Sequence, residues 1–147
     1  MATKKISELD PAAALTGDEL VEIVQDGANV RTTTQDIADL GGGGGGALTV
    51  TGQTASYTAV LADANGYVRM NVAGANTFTV PANASVAFPT GTRLYVEQRG
   101  AGTTTITPDT GVTILSRGSV FDTGGQYAVA VLVKVDTDIW VLSGDIA

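Results

Sequence analysis

The sequence contains no cysteine and no histidine. The absence of cysteine excludes disulfides, thiolate metal ligands and a cysteine nucleophile. The absence of histidine removes the commonest general base and a common zinc ligand. Most familiar hydrolytic sites are therefore excluded. We expect a protein that is not an enzyme, with no catalytic residue, no metal site and no cofactor.

Basic side chains and long apolar runs are also scarce. Eight Lys and Arg residues stand against 15 Asp and Glu residues, a net charge of -7. Because nucleic-acid binding needs clustered cations that displace counterions, we expect no nucleic-acid partner. No apolar run reaches the 18 residues of a membrane-spanning helix, and Met1–Lys5 does not lead into a secretory signal. We therefore expect no membrane partner and folding in a cytoplasm.

Six consecutive glycines, Gly41–Gly46, separate two parts of different charge. Residues 1–40 hold three basic and eight acidic side chains, a net charge of -5, whereas residues 47–147 hold five and seven, a net charge of -2. No Lys-Ser or Lys-Thr pair follows the run, which excludes a phosphate-binding loop. We interpret residues 1–40 as an arm, residues 41–46 as a flexible linker and residues 47–147 as a body.

The arm has local structure but little apolar surface. The pattern "LVEIVQ", "DGAN", "VRTTT" predicts a hairpin, and "TTQDIADL" predicts a short helix capped by Thr33 or Thr34. So small a unit cannot offset the chain entropy of its own folding. We expect it to pack on its own body, on a neighbouring copy or on a different protein. The apolar side chains expected to anchor the arm are Ile6, Leu9, Leu20, Ile23, Ile37 and Leu40.

The body consists of short strand-like runs separated by turns about every ten residues. This spacing, with abundant Thr and Gly, predicts an antiparallel β-sandwich or jelly-roll-like domain. The whole chain is therefore expected to be mainly β. Trp140, the only tryptophan, is expected to anchor the core at the final hairpin.

The run "QYAVAVLVKV" is apolar on both faces. One face carries Val129, Val131 and Val133, and the other carries Ala128, Ala130 and Leu132. A strand of this kind is either central between packed layers or lies between the core and a neighbouring subunit, and both alternatives stay open. In the second, small Ala128 and Ala130 allow a partner sheet to approach closely. Ala128, Ala130 and Leu132 are then the predicted oligomer interface.

Two sets of side chains suggest carbohydrate chemistry. Asp63, Glu97, Asp109 and Asp122 are candidates for an acid and base pair in glycoside cleavage, which requires a specific separation in space. A sugar-binding groove is conceivable from aromatic and Arg side chains, although strand packing is their commoner role. The members of this second set are Tyr57, Tyr67, Tyr95, Arg93 and Arg99.

Two stretches resemble bacteriophage virion proteins. Lys5–Leu9, Leu15–Gly17, Glu19–Val21 and Thr33–Ile37 resemble a segment at the N-termini of tail-fibre-like and other particle-surface proteins. The stretches "NTFTVPANASVAFPTGTRLYVEQRGAGTTTITPDTGVTI" and "GQYAVAVLVKVDTDIWVLSGDI" are similar to C-terminal β modules of the same class. The resemblance implies an arm that docks on the particle and an outward β domain that commonly assembles as a trimer.

The sequence shows no long repetitive shaft and no large receptor-binding domain. We therefore expect a non-enzymatic virion structural protein, a homotrimeric capsid decoration (cement) protein whose arm contacts another virion protein such as the major capsid protein. The alternative is a short head or tail fibre protein that binds host surface glycan. A glycan-cleaving enzyme is the third possibility.

Overall fold

The computed structural model describes residues 20–25, 28–34 and 47–147. The chain divides into two compact units, Met1–Ala47 and Leu48–Ala147. In the first unit, β1 (Leu20–Gln25) and β2 (Ala28–Thr33) pair antiparallel, with Leu20 opposite Thr33 and Gln25 opposite Ala28. Nearly all of the predicted short helix and the whole glycine run lie outside the described residues.

The second unit is built almost entirely of strands. Two short 3-10 turns, Leu61–Asp63 and Arg117–Ser119, interrupt them. In the part of the chain that the structure describes, no helix is long and apolar enough to cross a membrane. The mainly β prediction is confirmed. The strands are β3 (Val50–Gln53), β4 (Tyr57–Thr58), β5 (Tyr67–Met70), β6 (Asn76–Val80), β7 (Arg93–Gln98), β8 (Thr104–Pro108), β9 (Thr113–Ser116), β10 (Val129–Asp136) and β11 (Ile139–Gly144).

These strands form a six-stranded sheet of mixed direction and a three-stranded parallel sheet. The order is β3-β5-β7-β10-β11-β9 in a six-stranded sheet and β4-β6-β8 in a three-stranded sheet. Only β10 pairs antiparallel with its neighbours β7 and β11, and the other pairs of both sheets are parallel. The prediction of an antiparallel body is therefore wrong. From β3 to β9, successive strands alternate between the sheets, so each strand returns to its sheet in the same direction as before, and in this unit only β10 and β11 form a hairpin.

From β3 to β8 the chain winds as a coil that adds one strand to each sheet per turn. In the register of two successive turns, Tyr67 lies opposite Tyr95 and Phe78 opposite Ile106, an offset of 28 residues in both sheets. The sequences "YVRMNVAGANTFT" from residue 67 and "YVEQRGAGTTTIT" from residue 95 are identical at six equivalent positions. The coil is thus a structural repeat that is also visible in the sequence.

Residues of both sheets share one apolar core. The six-stranded sheet contributes Val68, Leu94 and Leu132, and the three-stranded sheet contributes Phe78 and Ile106. Buried Trp140 meets Phe88 edge to face with ring centroids 5.6 Å apart, which confirms Trp140 as a core anchor. We call the opposite face of the six-stranded sheet the outer face.

A buried polar side chain ties successive turns of the coil together. The Nδ2 group of Asn76 lies within 3.1 Å of the Gly74 carbonyl, 3.2 Å of the Thr103 carbonyl and 3.4 Å of the Gly102 carbonyl. Its Oδ1 atom accepts a hydrogen bond of 2.9 Å from the Thr104 hydroxyl. Because a buried amide is costly unless it is paired, this arrangement specifies how the turns stack.

Candidate functional site

The structure describes little of the predicted anchoring set. Leu20 on β1 is 63% exposed. Ile23 pairs with Val30 in the hairpin, but its side chain lies outside the description. Particle anchoring therefore stays a prediction. Four of its members lie outside the described residues: Ile6, Leu9, Ile37 and Leu40.

The predicted oligomer interface is on the wrong face of its strand. Ala130 and Leu132 are fully buried and Ala128 is 4% exposed. Ala130 and Leu132 belong to the core, so these side chains are covered within a single chain and are not free to contact a second copy. Since successive side chains of a strand point to opposite faces, Val129, Val131 and Val133 point to the outer face instead.

The register of the six-stranded sheet aligns apolar side chains across the outer face. One row runs from Val50 through Tyr67 and Tyr95 to Val131. A second row joins Val133, Val141 and Leu115. Val50 and Leu115, on the two edge strands, are 57% and 52% exposed, and the side chains between them are half-buried. An apolar band therefore crosses the whole sheet.

The two tyrosines of this band stack on one another. Their ring centroids are 6.3 Å apart and their planes differ by 20°. Arg93 stands on the same face, two residues before Tyr95 on β7, whereas Tyr57 lies against Phe78 of the three-stranded sheet. The structure thus brings together Tyr67, Tyr95 and Arg93 of the predicted sugar groove and leaves Tyr57 apart.

A charged cluster borders the apolar band at one end of the strands. The Arg69 Nε group donates to Glu97 Oε2 at 2.9 Å, and a terminal nitrogen of Arg99 lies 3.9 Å from Glu97 Oε1. The Arg99 guanidinium also lies 5.3 Å from the centre of the Tyr127 ring. Burial raises the pKa of Tyr67, the Glu97 carboxylate raises it further, and Arg69 opposes both effects. The cluster is therefore coupled electrostatically to Tyr67.

A hollow opens beside this cluster at the edge strand β3. Its volume is about 350 Å³. Gly52 has no side chain to fill the space above β3, and a Cβ atom at that position would meet no atom within 4 Å. The lining residues are Val50, Thr51, Gly52, Arg69, Asn71 and Arg99.

The four candidate carboxylates have separate partners. Asp63 accepts hydrogen bonds of 2.9 Å from the Tyr57 hydroxyl and the Val60 amide, and Asp122 accepts one of 2.6 Å from the Thr105 hydroxyl. Asp109 accepts a bond of 2.7 Å from the Thr110 amide, and Glu97 belongs to the arginine cluster. Within residues 47–147, no group of three or more acidic side chains is arranged to hold a metal ion.

Sequence reasoning missed Gly52, Arg69 and Asn71. The 28-residue repeat is the signal that indicates two of them, because it places Arg69 beside Glu97 and Asn71 beside Arg99 in successive turns. Nothing in the sequence marks Gly52, whose position beside Arg69 depends on the register of β3.

Comparison with protein families, with characterised proteins and with solved structures finds no match to this chain. Any conclusion about function must therefore rest on the residues of this chain and on their geometry. On the outer face, the apolar centre is free of charge among the described residues, and Arg69, Arg93 and Glu97 stand around it. An apolar centre with a charged rim is typical of surfaces that contact other proteins.

Proposed function

We propose that this protein is a non-enzymatic bacteriophage virion structural protein, a homotrimeric capsid decoration (cement) protein. Its arm anchors it to another virion protein such as the major capsid protein, and its body packs against the bodies of neighbouring copies. The observation that carries the proposal is the apolar outer face, which the described residues of the body leave uncovered.

The size of the face is in the range of a protein interface. Six strands at ordinary spacing span roughly 24 Å, and the apolar rows extend roughly 17 Å along them, a projected area of roughly 400 Å². Because side chains roughen a sheet, two such faces together would bury on the order of 1,000 Å², the lower limit for a specific interface. A monomeric protein rarely exposes so large an apolar patch without a partner.

The charges of the face favour a second copy as that partner. Val131, Val133 and Val141 form a centre without charge, so two copies can approach there without burying an unpaired ion. At the border of this centre Glu97 is already paired with Arg69 within the same copy, so this carboxylate needs no partner from a neighbouring copy. In the proposed trimer the outer faces point toward the three-fold axis.

The arm carries most of the negative charge of the chain and is joined to the body by six glycines. Its net charge of -5 differs from the nearly neutral body, and the six glycines after it reach at most about 20 Å when fully extended. Three arms on one trimer add their weak contacts through effective concentration, so none of them needs a strong site. The linker lets identical arms reach sites that are not related by the symmetry of the body.

The test combines mass in solution with binding to particles. Light scattering and co-sedimentation with empty capsids are applied to the full chain and to a version that begins at Ala47, with circular dichroism as the check of folding. We expect both to be trimers and only the full chain to sediment with capsids. A folded full chain that stays in the supernatant contradicts the decoration function. Leu20→Asp in the full chain, at an exposed position, is expected to weaken sedimentation without changing the mass.

A further inference from the structure

We propose that the hollow beside Gly52 binds a small carboxylate-bearing sugar, with Arg69 and Arg99 as the groups that bind its carboxylate. The hollow has the volume of a site for one monosaccharide, at the lower end of the range for small-molecule pockets. It lies at the edge of the six-stranded sheet, at the border of the apolar band. The inference does not rest on the proposed decoration function.

The guanidinium groups are held in place before any ligand arrives. Glu97 is only 9% exposed, and its Oε2 atom accepts the Nε bond of Arg69, which leaves both terminal nitrogens of Arg69 without an acceptor in the described residues. Arg99 lies over the Tyr127 ring and approaches Glu97 through one terminal nitrogen. A positioned guanidinium presents two parallel donors, which match the two oxygens of a carboxylate.

The charge of the cluster suits a singly charged anion. Two guanidinium groups and one carboxylate leave a local charge of +1, in a protein whose net charge is -7. A sugar carboxylate carries one negative charge and neutralises that excess. A phosphate dianion would exceed it, and Glu97 would then repel the second charge. The cluster therefore favours a carboxylate over a phosphate.

The remaining lining provides neutral groups for hydroxyls. Asn71 lines the hollow, and its side-chain amide can donate to and accept from sugar hydroxyls. Thr51 alternates with Val50 on β3 and pairs with buried Val68, so its side chain points to the opposite side of the sheet. Tyr67 stands two residues before Arg69 on the same face and stacks with Tyr95, which supplies an aromatic surface beside the hollow.

The experiment is a titration of the ¹⁵N-labelled full chain followed by NMR, including the arginine Nε signals. The probes are glucuronate and N-acetylneuraminate, with glucose and inorganic phosphate as the comparison. We expect saturable shifts at Gly52, Asn71 and the Nε groups of Arg69 and Arg99 for the two acidic sugars. The expected Kd is on the order of millimolar, because one small ligand forms few contacts.

Three full-chain variants make the assignment specific. Arg99→Gln is expected to weaken binding about tenfold, since it removes one charged donor pair. Gly52→Val fills the hollow without changing charge and is expected to abolish binding. Arg117→Gln, at an exposed arginine outside the lining and outside the apolar band, is the matched control and is expected to bind as the wild type does.

Each contrary result overturns the proposal. Glucose that binds as well as glucuronate excludes a carboxylate site, and phosphate that binds more tightly excludes the preference for a single charge. Unsaturated shifts, or equal loss in Arg117→Gln and Arg99→Gln, exclude a built site at the hollow. Because the titration follows a small ligand, failure here leaves trimer formation and capsid binding untouched.

Discussion

The backbone of Gly102 lies directly against that of Gly74, the residue 28 positions earlier. A Cβ atom at Gly102 would lie 1.9 Å from the Gly74 carbonyl oxygen, and the Gly102 amide donates to the Val72 carbonyl at 3.0 Å. The relationship is one-sided, because a Cβ atom at Gly74 would meet nothing within 4 Å. The turns of the coil therefore approach too closely for any side chain at the second position.

This asymmetry predicts that a glycine-to-alanine substitution changes stability differently at the two positions. Gly102→Ala forces a methyl group into the backbone of the preceding turn and is expected to lower the free energy of unfolding by roughly 3 kcal/mol. Gly74→Ala is expected to change it by about 0.5 kcal/mol or less. Urea unfolding of the two variants measures the difference. Equal losses in both variants contradict the close stacking of the turns.

Asn76 predicts a second stability effect in the same region. Asn76→Ala removes the amide that faces three carbonyl groups and the acceptor of the Thr104 hydroxyl. We expect a loss of about 2 to 3 kcal/mol, because buried polar groups are left without partners. Thr77→Val, at the exposed neighbouring position of β6, is the control and is expected to change stability by about 0.5 kcal/mol or less. A loss in Asn76→Ala no larger than in the control would show that the amide does not hold the turns together.

The hydroxyl of Tyr57 predicts a pH dependence at high pH. Burial and the hydrogen bond to Asp63 raise the pKa of Tyr57 to about 12. In the unfolded chain a tyrosine titrates at about 10, so folding favours the protonated hydroxyl. Its contribution to stability is fully present below about pH 10 and is lost as the pH rises toward 12.

Tyr57→Phe lacks this titration. We expect the difference in unfolding free energy between the wild type and Tyr57→Phe to shrink as the pH rises above 10, as measured by urea unfolding at a series of pH values. A difference that stays constant over that range would mean that Asp63 does not hold the hydroxyl in its protonated form.

The β content of the body could be predicted from its residues, but the direction of its strands could not. Alternating apolar residues appear in parallel and antiparallel strands alike, so "YVRM" and "RLYVEQ" carry no sign of direction. The signal that indicates strand direction is the sequence repeat. The identities of Tyr67 with Tyr95 and of Gly74 with Gly102, at one constant offset, indicate turns of a coil that stack on each other.

Only part of the outer face could be predicted from the sequence. Both faces of β10 are apolar, so the sequence marks this strand without showing which of its faces meets the core. The choice between Ala130 and Val131 as the outward residue depends on which face meets the three-stranded sheet, and that is a property of the whole fold. The hollow was not predictable, since it depends on Gly52 lying beside Arg69, which the register of β3 determines.

The outer face itself predicts a pair of matched variants. Leu115, on the edge strand β9 of that face, is 52% exposed, and Leu61, outside the six-stranded sheet, is 55% exposed. Glutamate at either position faces solvent in a single copy, so both variants are expected to fold. Only Leu115→Glu places a charge in the proposed interface, where burial of an unpaired ion opposes association.

The most direct measurement is the mass in solution of the full chain, of Leu115→Glu and of Leu61→Glu, by light scattering at one protein concentration. The account predicts three times the chain mass of 14.9 kDa for the wild type and for Leu61→Glu, and a shift to 14.9 kDa for Leu115→Glu. A wild-type mass of 14.9 kDa, or a Leu115→Glu mass equal to that of the wild type, would contradict the claim that copies meet through the outer face.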